Sequence, residues 1–121
     1  MIIHGREIRF RFTVGAAEDL SRLCPDGSIA NIGKLLSQGS FAARMEATRS
    51  FVAILAKGWD DAAAFEAPGT KPQSLSSAEL RSLSAPELTK LADEAMAAFL
   101  GDQTPTVEVE PEKKAEAPGL T

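Results

Sequence analysis

A chain of 121 residues with 44% hydrophobic and 25% charged side chains has apolar surface for one modest core and too little for two domains. Its net charge of −4, with no dominant block of Lys or Arg, argues against nucleic acid or an anionic membrane as the main partner. A single cysteine, an opening MIIHGREIRF without the apolar run of a signal peptide, and charges or glycines in every hydrophobic stretch point to a soluble protein of the reducing cytoplasm.

Residues 2 to 12 alternate as strands do, with Ile8, Phe10 and Phe12 on one face and Glu7, Arg9 and Arg11 on the other. A tight turn at His4, Gly5 and Arg6 lets Ile2 and Ile3 pair back on the second strand, because glycine supplies the positive φ. A two-stranded hairpin is marginal alone, so its apolar face must rest on helices or on another subunit.

At Thr13 the period changes. Val14, Ala17, Leu20 and Leu23 recur at three-residue spacing, which predicts an amphipathic helix capped by Thr13 and ended by Pro25, Asp26 and Gly27. Ser28 then caps a short helix with Ile29, Ile32, Leu35 and Leu36 as its buried stripe, closed by Gly39. Ser40 caps the most helical segment, in which Phe41, Met45, Thr48, Val52, Leu55 and Trp59 form one stripe, read as core. Ala43, Ala47, Phe51 and Ile54 form a second apolar strip roughly 100° round the same helix.

After a short extension through Phe65, Asp60 to Ser74 reads as a mobile connecting loop with Pro68, Gly69 and Pro72. Two capping boxes with hydrophobic staples follow: Ser76 with Glu79 between Leu75 and Leu80, and Ser84 with Glu87 between Leu83 and Leu88. They predict helices over 77–83 and about 85–100, with Pro86 in a first turn, Leu88, Leu91, Ala95 and Phe99 inward, and Gly101 as the stop. The fold class is therefore α+β, mainly α: a hairpin and four to five helices over 1–101, then a disordered acidic tail over 102–121. Five carboxylates against Lys113 and Lys114 place three of the four net negative charges in that tail.

No catalytic, cofactor or metal site is expected. His4 is the lone histidine, so no His-based triad or multi-histidine metal site can form. Cys24 reads as a small buried hydrophobe. Asp60 and Asp61 lack the alternating oxygen ligands of a calcium loop, and no phosphate-cradling GxxxxGKT or GxGxxG run occurs. Arg6, Arg9 and Arg11 form a basic patch on the exposed face of the hairpin, and β-ribbons can enter a DNA groove, but no aromatic residue is interleaved and the chain is acidic. Phe51, Ile54, Trp59 and Phe65 carry two readings, core packing and contact with a partner, and are the candidate partner-binding residues.

Gly5, Arg6, Ile8, Phe10, Phe12, Thr13, Val14, Gly15 and Ala16, followed by Glu18 and Leu20, match in residue type an opening run seen in one family. In this run the chain resembles the tail assembly chaperones of long-tailed phages and phage-like gene transfer agents. Ala56, Lys57, Gly58 and Trp59 look like that family's "AGL" helix end, and LSSAEL and LSAPEL are similar to the start of its last helices. The resemblance covers residues 1 to about 100 and departs in the proline-containing loop at 60–74. It implies a non-enzymatic phage or prophage protein that self-associates and binds the tape measure protein, keeping it soluble while tail tube subunits polymerise around it. It also implies, in many members, a longer frameshifted product. Two rival readings are a structural virion protein, such as a tail tube or head-tail connector subunit, and a small DNA-binding regulator using the three hairpin arginines.

Overall fold

His4 and Gly5 hold φ of 49° and 80°, the pair of left-handed residues that a two-residue type I′ turn requires. They join β1 (Ile2–Ile3) to β2 (Arg6–Glu7) in an antiparallel pair, with Ile2 opposite Glu7 and Ile3 opposite Arg6. Arg6 is thus already paired and lies outside the turn in which the sequence placed it. One further bond, from Ile8 N–H to the Met1 carbonyl at 2.9 Å, continues the ribbon. Residues 8–13 then leave it instead of extending the strand, yet their alternation holds. Ile8 is buried, and Phe10 and Phe12 pack half-buried against the core. An extended segment laid on a helix sorts its side chains inward and outward with the same period of two as a strand in a sheet.

The structure, a computed structural model, describes residues 1–103. Over these residues the fold is mainly helical α+β, the hairpin being followed by five helices. The tail expected over 102–121 lies outside the described residues apart from Asp102 and Gln103, which end the last helix. No described helix is long and apolar enough to cross a membrane.

Thr13 caps α1 (Val14–Leu23), its hydroxyl accepting from the Ala16 N–H at 3.1 Å. The buried side of α1 is Ala16, Leu20 and, just beyond its end, Cys24, four residues apart. Val14, expected inward, is 78% exposed. Steps of three fall short of the 3.6-residue turn, so Val14 lies about 120° round the helix from Leu20, off the buried face. A 3-10 turn over Ile29–Asn31 leads into α2 (Ile32–Ser37). The Ser28 hydroxyl makes no cap bond there. Asp26 instead braces the approach to the turn, accepting from the Ser28 N–H at 3.0 Å and from Asn31 Nδ2 at 2.6 Å.

The long helix α3 (Phe41–Glu66) starts at Ser40, whose hydroxyl accepts from the Ala43 N–H at 3.1 Å. It runs straight past Trp59, so Ala56 to Trp59 are no helix end. Against it pack α1, α2, α4 (Ser77–Arg81) and α5 (Ala85–Gln103). Phe51, Val52 and Leu55 on α3 are fully buried, together with Leu20, Leu80 and Leu91 from three other helices. Thr48, polar but buried in this stripe, donates its hydroxyl to the Arg44 carbonyl at 2.7 Å and so leaves no unpaired group. On α5, Leu88, Leu91, Ala95 and Phe99 all face inward. The helix continues through Gly101, which lacks a left-handed φ and so costs helix stability without terminating it.

Gly58 explains how a chain segment can lie directly on α3. The Arg11 N–H donates to the Leu55 carbonyl at 3.0 Å, and a Cβ added at Gly58 would sit 2.2 Å from the Arg11 carbonyl oxygen. A backbone atom cannot give way as a side-chain tip can. Gly58→Ala should therefore destabilise the protein by about 1 to 3 kcal/mol despite alanine's better helix propensity. That is a fall of roughly 5 to 15 °C in melting temperature. Gly33→Ala on α2 meets nothing within 4 Å and should hold or raise it. Thermal melts of the two variants followed by circular dichroism check this contrast.

Candidate interaction surface

Each polar residue singled out in the sequence is tied into the scaffold. His4 Nδ1 lies 2.8 Å from Glu79 Oε2, and the Arg6 guanidinium pairs with the other oxygen of the same carboxylate while donating to the Gln73 carbonyl. Arg11 pairs with Glu66 at 2.6 Å, and the Arg9 guanidinium sits 5.6 Å from the centre of the Trp59 ring. The three arginines are therefore held by internal partners, and only Arg6 lies on the ribbon, which is two residues per strand, while Arg9 and Arg11 sit on the segment that leaves it. Asp60 accepts from the Gln73 and Ser74 N–H groups at 2.9 and 3.4 Å, and Asp61 pairs with Lys57 at 2.9 Å. Cys24 is buried, and burial pushes its thiol up, away from nucleophilic form. No group of three or more His, Cys, Asp or Glu side chains that could hold a metal occurs among the described residues.

Gln73 is the residue that sequence reading passed over. Its Oε1 accepts from the Arg9 N–H, and its Nε2 donates to the Arg9 carbonyl at 3.0 Å and to the Ala56 carbonyl at 3.2 Å. With the backbone bonds to Asp60 and Arg6, it joins the hairpin's trailing segment, α3 and the loop ahead of α4. The proline-containing loop expected to be mobile is thus anchored at one end. Nothing in the sequence signals this, because all the partners are distant in the chain. Glu79 is similar. Its own N–H is capped by Ser76, but its carboxylate turns to His4 and Arg6 in place of the reciprocal bond of a capping box. At Ser84 and Glu87 the box does close, with bonds of 3.3 and 2.9 Å.

The apolar candidates separate by depth. Phe51 is 0% exposed and meets Phe99 edge-on at 5.9 Å between centroids, so it is core and has no face to present to a partner. Ile54 packs half-buried against the same core, and Trp59 is half-buried beside Arg9. Phe65 alone of the four stands free, at 88% exposure. At the other end of α3 the reading reverses. Phe41, expected in the core, is 61% exposed. With half-buried Met45 and Leu83 it forms the rim and walls of a groove of about 520 Å³, floored by buried Leu80 and Leu88. Arg49, Arg81 and Glu46 complete its edges. Helix length accounts for both ends. At 1.5 Å per residue, the 26 residues of α3 span about 39 Å, whereas the 19 of α5 reach about 28 Å. The ends of α3 are therefore less fully covered than its middle, the Phe41 end meeting only the α4–α5 corner across the groove.

No family profile, curated protein or solved structure matches this chain.

Two measurements probe the polar scaffold. Gln73→Ala should cost about 0.5 to 1.5 kcal/mol in chemical denaturation, since water can replace the two bonds at exposed Arg9 while the part-buried bond to the Ala56 carbonyl is lost. Hydrogen bonding to His4 outweighs the opposing push of burial and, with the further help of the Arg6 guanidinium, holds the Glu79 carboxyl below its usual value. A depressed carboxyl stabilises the fold above its unfolded pKa, and that contribution is lost as pH falls through the lower folded value. Melting followed from pH 7 into the acid range should show Glu79→Gln less stable near neutrality and less sensitive to acid than the parent protein.

Proposed function

We propose that this chain is a phage or prophage tail assembly chaperone, a binding protein without chemistry of its own that holds the tape measure protein soluble while the tail tube assembles. What carries the reading on the structural side is the uncovered apolar surface at the two ends of α3. The groove of Phe41, Met45, Leu80, Leu83 and Leu88 is a receptacle of the kind that takes one face of an amphipathic helix, and a tape measure protein is a long amphipathic helix. On the sequence side, the run from Gly5 to Ala16 resembles the opening of that family. The same reading makes the chain self-associating, gives it tail tube protein as a second contact, and places its work in the host cytoplasm.

Co-expression tests the proposal. With this chain present, the tape measure protein should move from the insoluble to the soluble fraction, and its staying insoluble would refute the reading. The chaperone should also be missing from purified mature particles, where a structural subunit would remain. Phe65→Glu and Phe41→Glu, at exposed positions, should leave the melting temperature within about 2 °C of the parent while weakening co-purification of the partner. Phe51→Glu should unfold the protein outright, because it buries a charge in the core.

A further inference from the structure

We propose that the groove between the N-terminal half of α3 and the α4–α5 corner selects an acidic amphipathic helix, with Arg49 and Arg81 gripping its carboxylates. The proposal rests on the functional reading above only in taking the partner to be a polypeptide, and its basis is the charge left unmatched around an apolar slot.

Arg6, Arg11 and Arg22 each have a carboxylate within 4.0 Å. Arg49 and Arg81 line the groove and enter no ion pair among the described residues. Carboxylates lie close to Arg81 in sequence, but they are already engaged. Glu79 is taken by His4 and Arg6, and Glu87 by the backbone N–H of Ser84. Arg44 adds a third guanidinium beside the slot, 5.8 Å from the centre of the Phe41 ring. Against these three stands Glu46, the one carboxylate on the lining, which is itself in no ion pair. A net positive edge around an apolar floor is thus built into a protein whose net charge is −4.

The floor and the edge together narrow the occupant. A small anion or a phosphate backbone would satisfy the arginines and leave the apolar side chains wet. A purely aliphatic segment would fill the slot and strand two guanidinium groups as their water is displaced. A basic segment is repelled. A helix with aliphatic residues on one stripe and Asp or Glu along its flanks meets both demands, since guanidinium groups bind carboxylates in a fork geometry. A second copy of this chain offers a poorer match. Its most exposed aromatic, Phe65, is flanked by Asp61 and Glu66, whose charges are already met by Lys57 and Arg11.

The test uses the full chain and two fluorescein-labelled helical peptides of about 18 residues. They share one leucine stripe and differ only in carrying Glu or Lys on its flanks. Fluorescence anisotropy should give about tenfold or greater preference for the Glu peptide at low salt, fading as salt rises. The double variant Arg49→Glu/Arg81→Glu, with unchanged melting, should lose that preference and favour the Lys peptide. Equal binding of both peptides, binding of neither, or an unchanged preference in the double variant would overturn the proposal. So would light scattering that shows a dimer of the parent dissolving in the variant. A double variant that still solubilises the tape measure protein would sink the charge assignment and spare the functional reading. A parent chain that binds the Glu peptide but fails to solubilise the tape measure protein would do the reverse.

Discussion

The rest of the structure hangs on the place where an extended backbone crosses a helical one. Between Arg11 and Leu55 the two backbone segments approach closely enough for an N–H to bond a carbonyl, and Gly58 is the position whose missing side chain permits it. From that crossing the chain has a fixed exit. Thr13 sits against α3 with its hydroxyl turned to cap α1, and Phe12 is delivered onto Phe99 of α5, ring edge to ring face at 4.8 Å. One contact thus sets where the hairpin ends, where α1 begins and how α5 lies. In an isolated helix a mid-helix glycine is a weakness of about 1 kcal/mol; here the loss is offset by the elements that gather around it.

A single long helix more fully covered along its middle than at its ends has a simple result. Its stripe of Met45, Thr48, Val52 and Leu55 continues toward Phe41 at one end, where the α4–α5 corner leaves a groove, and aromatic residues continue to exposed Phe65 at the other. The fold and the proposed binding role draw on the same run of side chains, divided by coverage and not by type. This is economical for a small protein, which has few apolar residues to spare for a surface that does nothing else.

Local rules predicted local structure well. Thr13, Ser40, Ser76 and Ser84 each cap the helix that the sequence assigns to them, because a cap is a bond between residues three apart and needs no knowledge of the fold. The inward face of α5 was legible for a similar reason, with Leu88, Leu91, Ala95 and Phe99 repeating at helical spacing. Periodicity says which side chains share a face, but it does not say which faces are covered. Phe51 and Phe41 therefore exchanged roles, Phe51 going to the core and Phe41 to the rim. Val14 misled because a three-residue spacing drifts round the helix, and the buried face of α1 follows the four-residue steps of Ala16, Leu20 and Cys24. The contacts of Gly58, Gln73 and Glu79 span 47, 64 and 75 positions in the chain at their longest, and no sequence-local pattern encodes them.

The connection from α3 to α4 has an uneven character that follows from where Gln73 sits. Gly69, at φ 94° with open space around it, marks a tip four positions ahead of the anchor. Extra residues inserted at the tip would bulge into solvent and leave the bonds to Arg9 and Ala56 in register, so the loop can lengthen freely on one side. On the other side, a single deletion between Gln73 and Ser76 would drag α4 and its cap together toward the anchor and pull Glu79 away from His4 and Arg6. A segment that looks like featureless spacer is therefore elastic for its first half and calibrated for its second.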